Sequence, residues 1–193
     1  ERLPRLGFDP LRDIQILTPM HSGQLGTSQL NQLLQETLNP YGKAHVLKGT
    51  TKNGAPRSFR EGDRVLQLRN DYDNEIYNGD IGFVEGVDDQ GVSVRFGDRL
   101  IDLAGKQLSY IDLAYAKSIH KSQGSEYPAV IILLHNCHRI MLRQNLLYTA
   151  ITRAKEFCCI IGHPWAVAFA AREEQAEPRH TSLIPWLHEQ INM

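Results

Sequence analysis

Three short apolar runs, at residues 14–17 (with Gln15 within it), 129–134 and 157–161, constrain this chain more than any other feature. Each is too short for a typical helix, and none keeps up a regular alternation of apolar and polar residues. Such runs read as strands covered on both faces, the condition of a parallel sheet. The first run ends at Thr18-Pro19 and is followed by a Gly-containing loop. Leu30, Leu33, Leu34 and Leu38 then recur at helical spacing, with Thr27 or Ser28 as the expected N-cap and Asn39-Pro40 as the stop. Strand followed by helix is the start of an α/β layer. The same pattern returns late in the chain. A helix is expected over 140–155, with Leu142, Leu146, Ile151 and Ala154 near one face, and further helical stretches over 165–172 and 183–191.

Between about residues 60 and 108 the texture changes. GDRVLQLRN alternates apolar and polar residues, and NGDIGFVEGV opens on Asn78-Gly79, a tight-turn signal. GVSVRF and RLIDL follow, separated by Gly97-Asp98. Four short strands with such turns predict a small antiparallel barrel. The expected organisation is an α/β lobe built from residues 1–58 and 109–193, with the barrel inserted at 59–108.

Composition narrows the function classes. Hydrophobic residues make up 41% and charged residues 22%, so the chain can bury a core and disorder is not the default. No apolar run approaches the roughly 20 residues that span a bilayer. Net charge is -1, which removes the strongly basic footprint of many nucleic-acid-binding domains. Any such binding has to rest on local chemistry. Cys137, Cys158 and Cys159 lack zinc-site spacing, and an odd, sparse set argues against a disulfide framework. A reducing cytoplasm fits best, with Cys158 and Cys159 as small core residues in FCCIIG. The chain starts at Glu1 without a signal-peptide pattern, as a processed protein or a fragment does.

Two segments carry chemistry. In SIHKSQGSEYPAVIILL, Ser118, His120, Lys121 and Ser122 cluster before Gly124 and the carboxylate of Glu126. Polar donors around a turn glycine suit phosphate approach, although a solvated loop has the same composition. In LLYTAITRAK, Thr149, Thr152, Arg153 and Lys155 interrupt an apolar helix. Read as residues alone, they form an exposed stripe whose cations suit the helix C-terminus.

HKSQGSEYPAV resembles the fifth motif of RecD-like superfamily 1 DNA helicases, and YTAITRAK is similar to their sixth. PMHSGQLGTSQLN resembles the opening of their second RecA-like lobe. GDRVLQLRNDYDNEIYNGDIG resembles the start of the SH3-like barrel inserted in that lobe. The motifs occur in order and span nearly the whole chain. The resemblance implies a P-loop-type α/β lobe that itself lacks the P-loop: there is no GxxxxGK(S/T) and no suitably placed DExx pair. ATP and Mg2+ would be held mainly by a first lobe outside this sequence, and the chain would be inactive alone.

Residue by residue, the resemblance implies that Arg153 reaches the γ-phosphate across the cleft. Gly124 offers a backbone N–H to the same phosphate, and Glu126 touches the nucleotide. Gln123 either orders the γ-phosphate and water or serves as a turn residue. Ser118 and His120 face single-stranded DNA, while Lys121 adds a phosphate contact or is simply solvated. In the barrel, Asn70, Tyr72 and Asn74 form a polar loop, where Tyr72 stacks a base or packs on its own barrel. The family often carries Arg or Lys near His21 or Ser22. Here His21 puts a second cationic contact in doubt.

The implied whole is an ATP-dependent, 5′ to 3′ DNA helicase of repair and recombination, cytoplasmic and not membrane-bound. Its partners would be single-stranded and duplex DNA, the first lobe, and subunits of a nuclease–helicase complex. The alternatives are a lobe of a conjugative relaxase (TraA-like) or Pif-like protein, and a degenerate lobe that only binds DNA or a partner.

Overall fold

The computed structural model describes residues 2–50 and 56–173. In chain order, α1 (Arg2–Arg5), β1 (Ile14–Thr18) and α2 (Thr27–Leu38) precede a hairpin of β2 (Ala44–Thr50) and β3 (Pro56–Arg60). Next come β4 (Arg64–Gln67), β5 (Ile81–Val87), β6 (Gly91–Phe96), β7 (Arg99–Ala104) and β8 (Ile111–Leu113). The chain closes through β9 (Ala116–Ser118), β10 (Tyr127–Leu134), α3 (Gln144–Ile151), β11 (Ala154–Gly162) and α4 (Pro164–Arg172). The helix expected at 183–191 lies outside the described residues. No helix among the described residues is long and apolar enough to cross a membrane.

The apolar runs form a parallel sheet of order β11-β10-β1-β9, in which Leu17 lies opposite both Ile132 and Lys117. Leu17, Val130, Ile132 and Leu134 share a core with Leu142, Leu146, Leu147 and Ala150, and with Ala166 and Ala170 of α4. On the other face, Ile14, Ile16, Ile131 and Phe157 look across to Leu34 and Leu38 of α2 and to Leu3 and Leu6 near the N-terminus. An open apolar groove of about 670 Å³ lies between them. β9 was not anticipated, because three residues containing a lysine carry no strand signal. Asn31 of α2 holds it: its amide donates to the Leu113 and Ala116 carbonyls, and its side-chain oxygen accepts from the Ala116 amide.

The four expected antiparallel strands are β4 to β7. They form a sheet of order β7-β6-β5-β4-β8, with β8 as a fifth strand beside β4. Phe59, Val65, Ile76, Val84, Val94, Phe96 and Ile111 fill their core.

Three local expectations need correction. The cap of α2 is Gly26, not Thr27 or Ser28. A Cβ at Gly26 would sit 2.5 Å from the His21 carbonyl oxygen, so only glycine fits. The Thr27 hydroxyl is engaged by His21 Nδ1 at 2.7 Å, and the Thr27 and Ser28 amides donate to the Met20 and His21 carbonyls. The helix expected over 140–155 is shorter. A 3₁₀ segment, Asn136–Met141, precedes an extended Arg143, and α3 ends at Ile151. Near that end the Thr149 hydroxyl donates to the Asn145 carbonyl and the Thr152 hydroxyl to the Tyr148 carbonyl. Such back-bonding by Ser and Thr weakens and bends helices. Finally, Cys158 is exposed and Cys159 half-buried rather than core. Their strand is an outer strand of the sheet.

The barrel is fastened to the lobe through two buried polar groups. The Asp63 carboxylate, fully buried, accepts from Gln35 Nε2 (2.5 Å), Asn39 Nδ2 (2.8 Å), Tyr115 Oη (2.7 Å) and the Arg60 amide (2.7 Å). Burial and the neighbouring Asp63 charge push the Tyr115 phenol well above its ordinary value. Arg64, also buried, donates through Nη1 to the carbonyls of Leu11 and Ile14 just before and within β1. Burial lowers its pKa, opposed by Tyr127 and Asp13. An isosteric Asp63→Asn substitution turns an acceptor into a donor facing three side-chain donors. It should lower stability by roughly 3 kcal/mol in urea unfolding. A loss below about 1 kcal/mol would show that the node is dispensable.

Candidate nucleotide and DNA interface

Parallel pairing dictates the geometry of the site. β9, β1 and β10 run in one direction, so the chain leaving β9 at Ser118 must travel back along the sheet before β10 starts at Tyr127. The segment 119–126 makes that return. Its inner anchors are Ile119 and Ser122, both fully buried, with the Ser122 hydroxyl donating to the Ile119 carbonyl at 2.7 Å. A 3₁₀ turn, His120–Ser122, presents His120 and Lys121 outward. Ser118 is half-buried and its Oγ accepts from the Lys121 amide at 3.3 Å. Ser118, His120 and Lys121 therefore occupy the end near the C-terminus of β9. Gln123, Gly124 and Glu126 occupy the end where β10 begins, all exposed.

Gly124 takes φ +80°, and a Cβ there would meet nothing within 4 Å. The need for glycine is thus conformational, not steric. The open space beside the backbone is what an approaching phosphate requires. Gly124→Ala should cost roughly 1–2 kcal/mol through the left-handed backbone alone, read by chemical denaturation. A neutral result would mean the turn relaxes to negative φ.

Arg153 sits between the end of α3 and the start of β11, on the same side as that turn. Its Nε donates to the Thr149 carbonyl (3.2 Å), Nη1 to the Ser125 carbonyl (2.9 Å) and Nη2 to the Thr152 hydroxyl (3.3 Å). Its own carbonyl accepts from the Tyr127 amide at 2.8 Å. A guanidinium has five N–H donors, so three fix its plane and two remain. Lys155, on β11 rather than on a helix, pairs with Glu126 at 3.5 Å; both are exposed, and the pair contributes little stability. The structure thus brings Arg153 against the Ser125 carbonyl, one residue from both Gly124 and Glu126. Ser118, His120 and Lys121 stand apart at the other end of the segment.

The barrel loop is preorganised. Asp71 and Ile76 bridge, Ile76 is buried, and the Asn70 side chain donates to Tyr72 Oη and accepts from the Asn78 amide. Asn74 donates to the Asp71 carboxylate, and those bonds hold Asp71 below its ordinary pKa. Its amide donors thus turn inward. Tyr72 is 73% exposed and meets Tyr77, 48% exposed, edge to face at 6.3 Å. Tyr77 was missed in the sequence because nothing local marks it as outward-facing. Arg99 supports the loop through the Asn74 and Glu75 carbonyls and the Glu75 carboxylate. His21 is held over the start of α2 by Thr27.

Comparison with known proteins agrees with this architecture. The model of an ATP-dependent RecD-like DNA helicase SH3 domain matches residues 30–96, and that of a UvrD-like helicase C-terminal domain matches residues 113–161. The chain is 39% identical over 89% of its length to the ATP-dependent RecD2 DNA helicase of Deinococcus radiodurans, covering 23% of that protein. It is 38% identical over 62% of its length to the RecBCD enzyme subunit RecD of Mycolicibacterium smegmatis, covering 21% of it. A Pif1 helicase from Bacteroides, solved with ADP-AlF3 and ssDNA, shares the fold at a TM-score of 0.56 and 18% identity. That match covers 92% of this chain and 45% of the other. The chain spans about a quarter of the length of the curated relatives it matches.

A parallel RecA-like sheet without a P-loop, interrupted by an SH3-like barrel, defines the second lobe of a superfamily 1 helicase. Within that class the chain belongs to the RecD-like family, of which it carries the C-terminal region.

Proposed function

We propose that the intact protein hydrolyses ATP with magnesium, translocates 5′ to 3′ on single-stranded DNA and unwinds duplex, this chain forming the second lobe of the motor. The observation that carries the reading is the Arg153 fork. Its plane is set by the Thr149 and Ser125 carbonyls, and its two remaining donors are left for an anion beside the open turn at Gly124. In this reading Arg153 neutralises charge on the transferring phosphoryl group, while Gly124 and Glu126 touch the nucleotide and Gln123 orders its end. Ser118 and His120 grip the strand, Lys121 meets a phosphate, and Tyr72 and Tyr77 stack a base. Asn74 shapes the loop that presents them.

The phosphate loop and the magnesium carboxylates belong to the first lobe, so the isolated chain should not turn over ATP. The partners are single-stranded and duplex DNA and that first lobe. The Mycolicibacterium relative is named as a subunit of the RecBCD enzyme, and we add subunits of a nuclease–helicase complex as partners to test, with DNA repair and recombination in the cytoplasm as the setting.

The test is ATP turnover by the intact protein with and without single-stranded DNA. DNA should stimulate the wild type, and Arg153→Ala should lower turnover by roughly 10³–10⁵ while ATP still binds. Turnover nearly unchanged in the variant would remove Arg153 from the site. A wild type that DNA does not stimulate would favour a lobe that only binds. Tyr72→Ala should weaken single-strand affinity by roughly 1–3 kcal/mol at fixed salt. Unaltered binding would place the strand away from the barrel loop.

A further inference from the structure

In the proposed reading, residues 118–126 carry the DNA contacts at one end and the nucleotide contacts at the other. One hydrogen bond joins the two residues that flank 118–126: Lys117 Nζ donates to Tyr127 Oη at 3.0 Å. Lys117 is only 2% exposed and Tyr127 only 4%. No carboxylate of a described residue pairs with the Lys117 ammonium. Its strand neighbour Leu17 and the nearby Ile132 are apolar. A buried ammonium compensated by a single phenol oxygen is a poor stabiliser, and an apolar residue of the same length would serve the core better. Stability alone therefore gives no reason for this lysine.

Its position does. Lys117 immediately precedes Ser118. Tyr127 is bound through its amide to the Arg153 carbonyl, and its ring centre lies 5.8 Å from the Arg64 guanidinium carbon that ties barrel to lobe. The bond thus closes the base of the segment and links the strand end beneath the DNA contacts to the backbone of the arginine. We infer that Lys117 and Tyr127 are positioning residues: their bond is a clasp that transmits strand binding at Ser118 and His120 to the placement of Arg153. This inference rests on the motor reading above. Displacement of β9 by a bound strand pulls on Tyr127, and with it on the Arg153 carbonyl. Without the clasp the two ends of the segment move independently.

The experiment uses the intact protein and three variants: Tyr127→Phe, which keeps the ring, Lys117→Met, which keeps the length, and the double substitution. An all-apolar pair of similar volume should fold, so the double variant remains informative if a single one does not. ATP turnover is measured with and without oligo-dT, alongside amide hydrogen exchange in residues 119–127. Each single variant should lower DNA-stimulated kcat about tenfold and leave DNA-independent turnover and the KM for ATP within about twofold. Exchange across 119–127 should quicken. The double variant should be no worse than either single one, since all three remove the same bond.

DNA stimulation within about twofold of wild type in a folded double variant overturns the clasp. So do losses that multiply, or a basal rate that falls in step with the stimulated one, the mark of a merely structural pair. A wild type unresponsive to DNA is a different failure, since it removes the motor reading itself and the coupling with it.

Discussion

The fold depends on one buried carboxylate. Asp63 lies where the chain leaves the α/β lobe for the barrel, and the groups that reach it come from three different parts of the chain. Gln35 and Asn39 belong to α2 and its C-terminal end, the Arg60 amide to the end of β3, and Tyr115 to the return from the barrel. A carboxylate without water is tolerable only when its oxygens are fully engaged, and here neutral donors do it. The arrangement holds the departing and returning strands side by side, so a barrel can interrupt the lobe without separating α2 from β9. Arg64, the next residue, completes the junction by gripping the carbonyls before β1.

That junction sets up the site. With α2 fixed, Asn31 can supply the hydrogen bonds that hold β9 as a strand. With β9 fixed as the last strand of the sheet, the segment behind it must run back along the sheet to reach β10. The separation of Ser118, His120 and Lys121 from Gln123, Gly124 and Glu126 is therefore a result of parallel topology, not of any single side chain. Arg153 reaches the near end of that segment because α3 stops early, its last turn weakened by its own threonine hydroxyls.

Much of this was legible in the residues. The runs at 14–17 and 129–134 announce a doubly covered sheet, and the alternation with Gly turns from about residue 60 announces the barrel. The strand β9 was hidden because its support is an asparagine 85 positions away. The length of α3 was misread because apolar spacing continues through Ile151 and Ala154 even though the helix does not. Cys158 looked like core because a sequence does not reveal which strand ends a sheet. The site residues themselves came from motif resemblance. Composition and spacing alone gave Arg153 only a place on a helix stripe, and nothing in the sequence foretold that Lys117 would be buried or Tyr77 exposed.

The start of α2 carries a consequence for how a two-lobed motor shares its work. Its first two amides, of Thr27 and Ser28, are already filled by the carbonyls of Met20 and His21, so those donors are not on offer to a polyphosphate. Under the proposed function, this lobe then holds its share of the nucleotide with a side-chain fork, one glycine turn and Glu126. The fork and the glycine turn address the terminal phosphate. Once that phosphate has gone, little on this side favours the diphosphate, and the lobe becomes the half that lets go while the other retains the product.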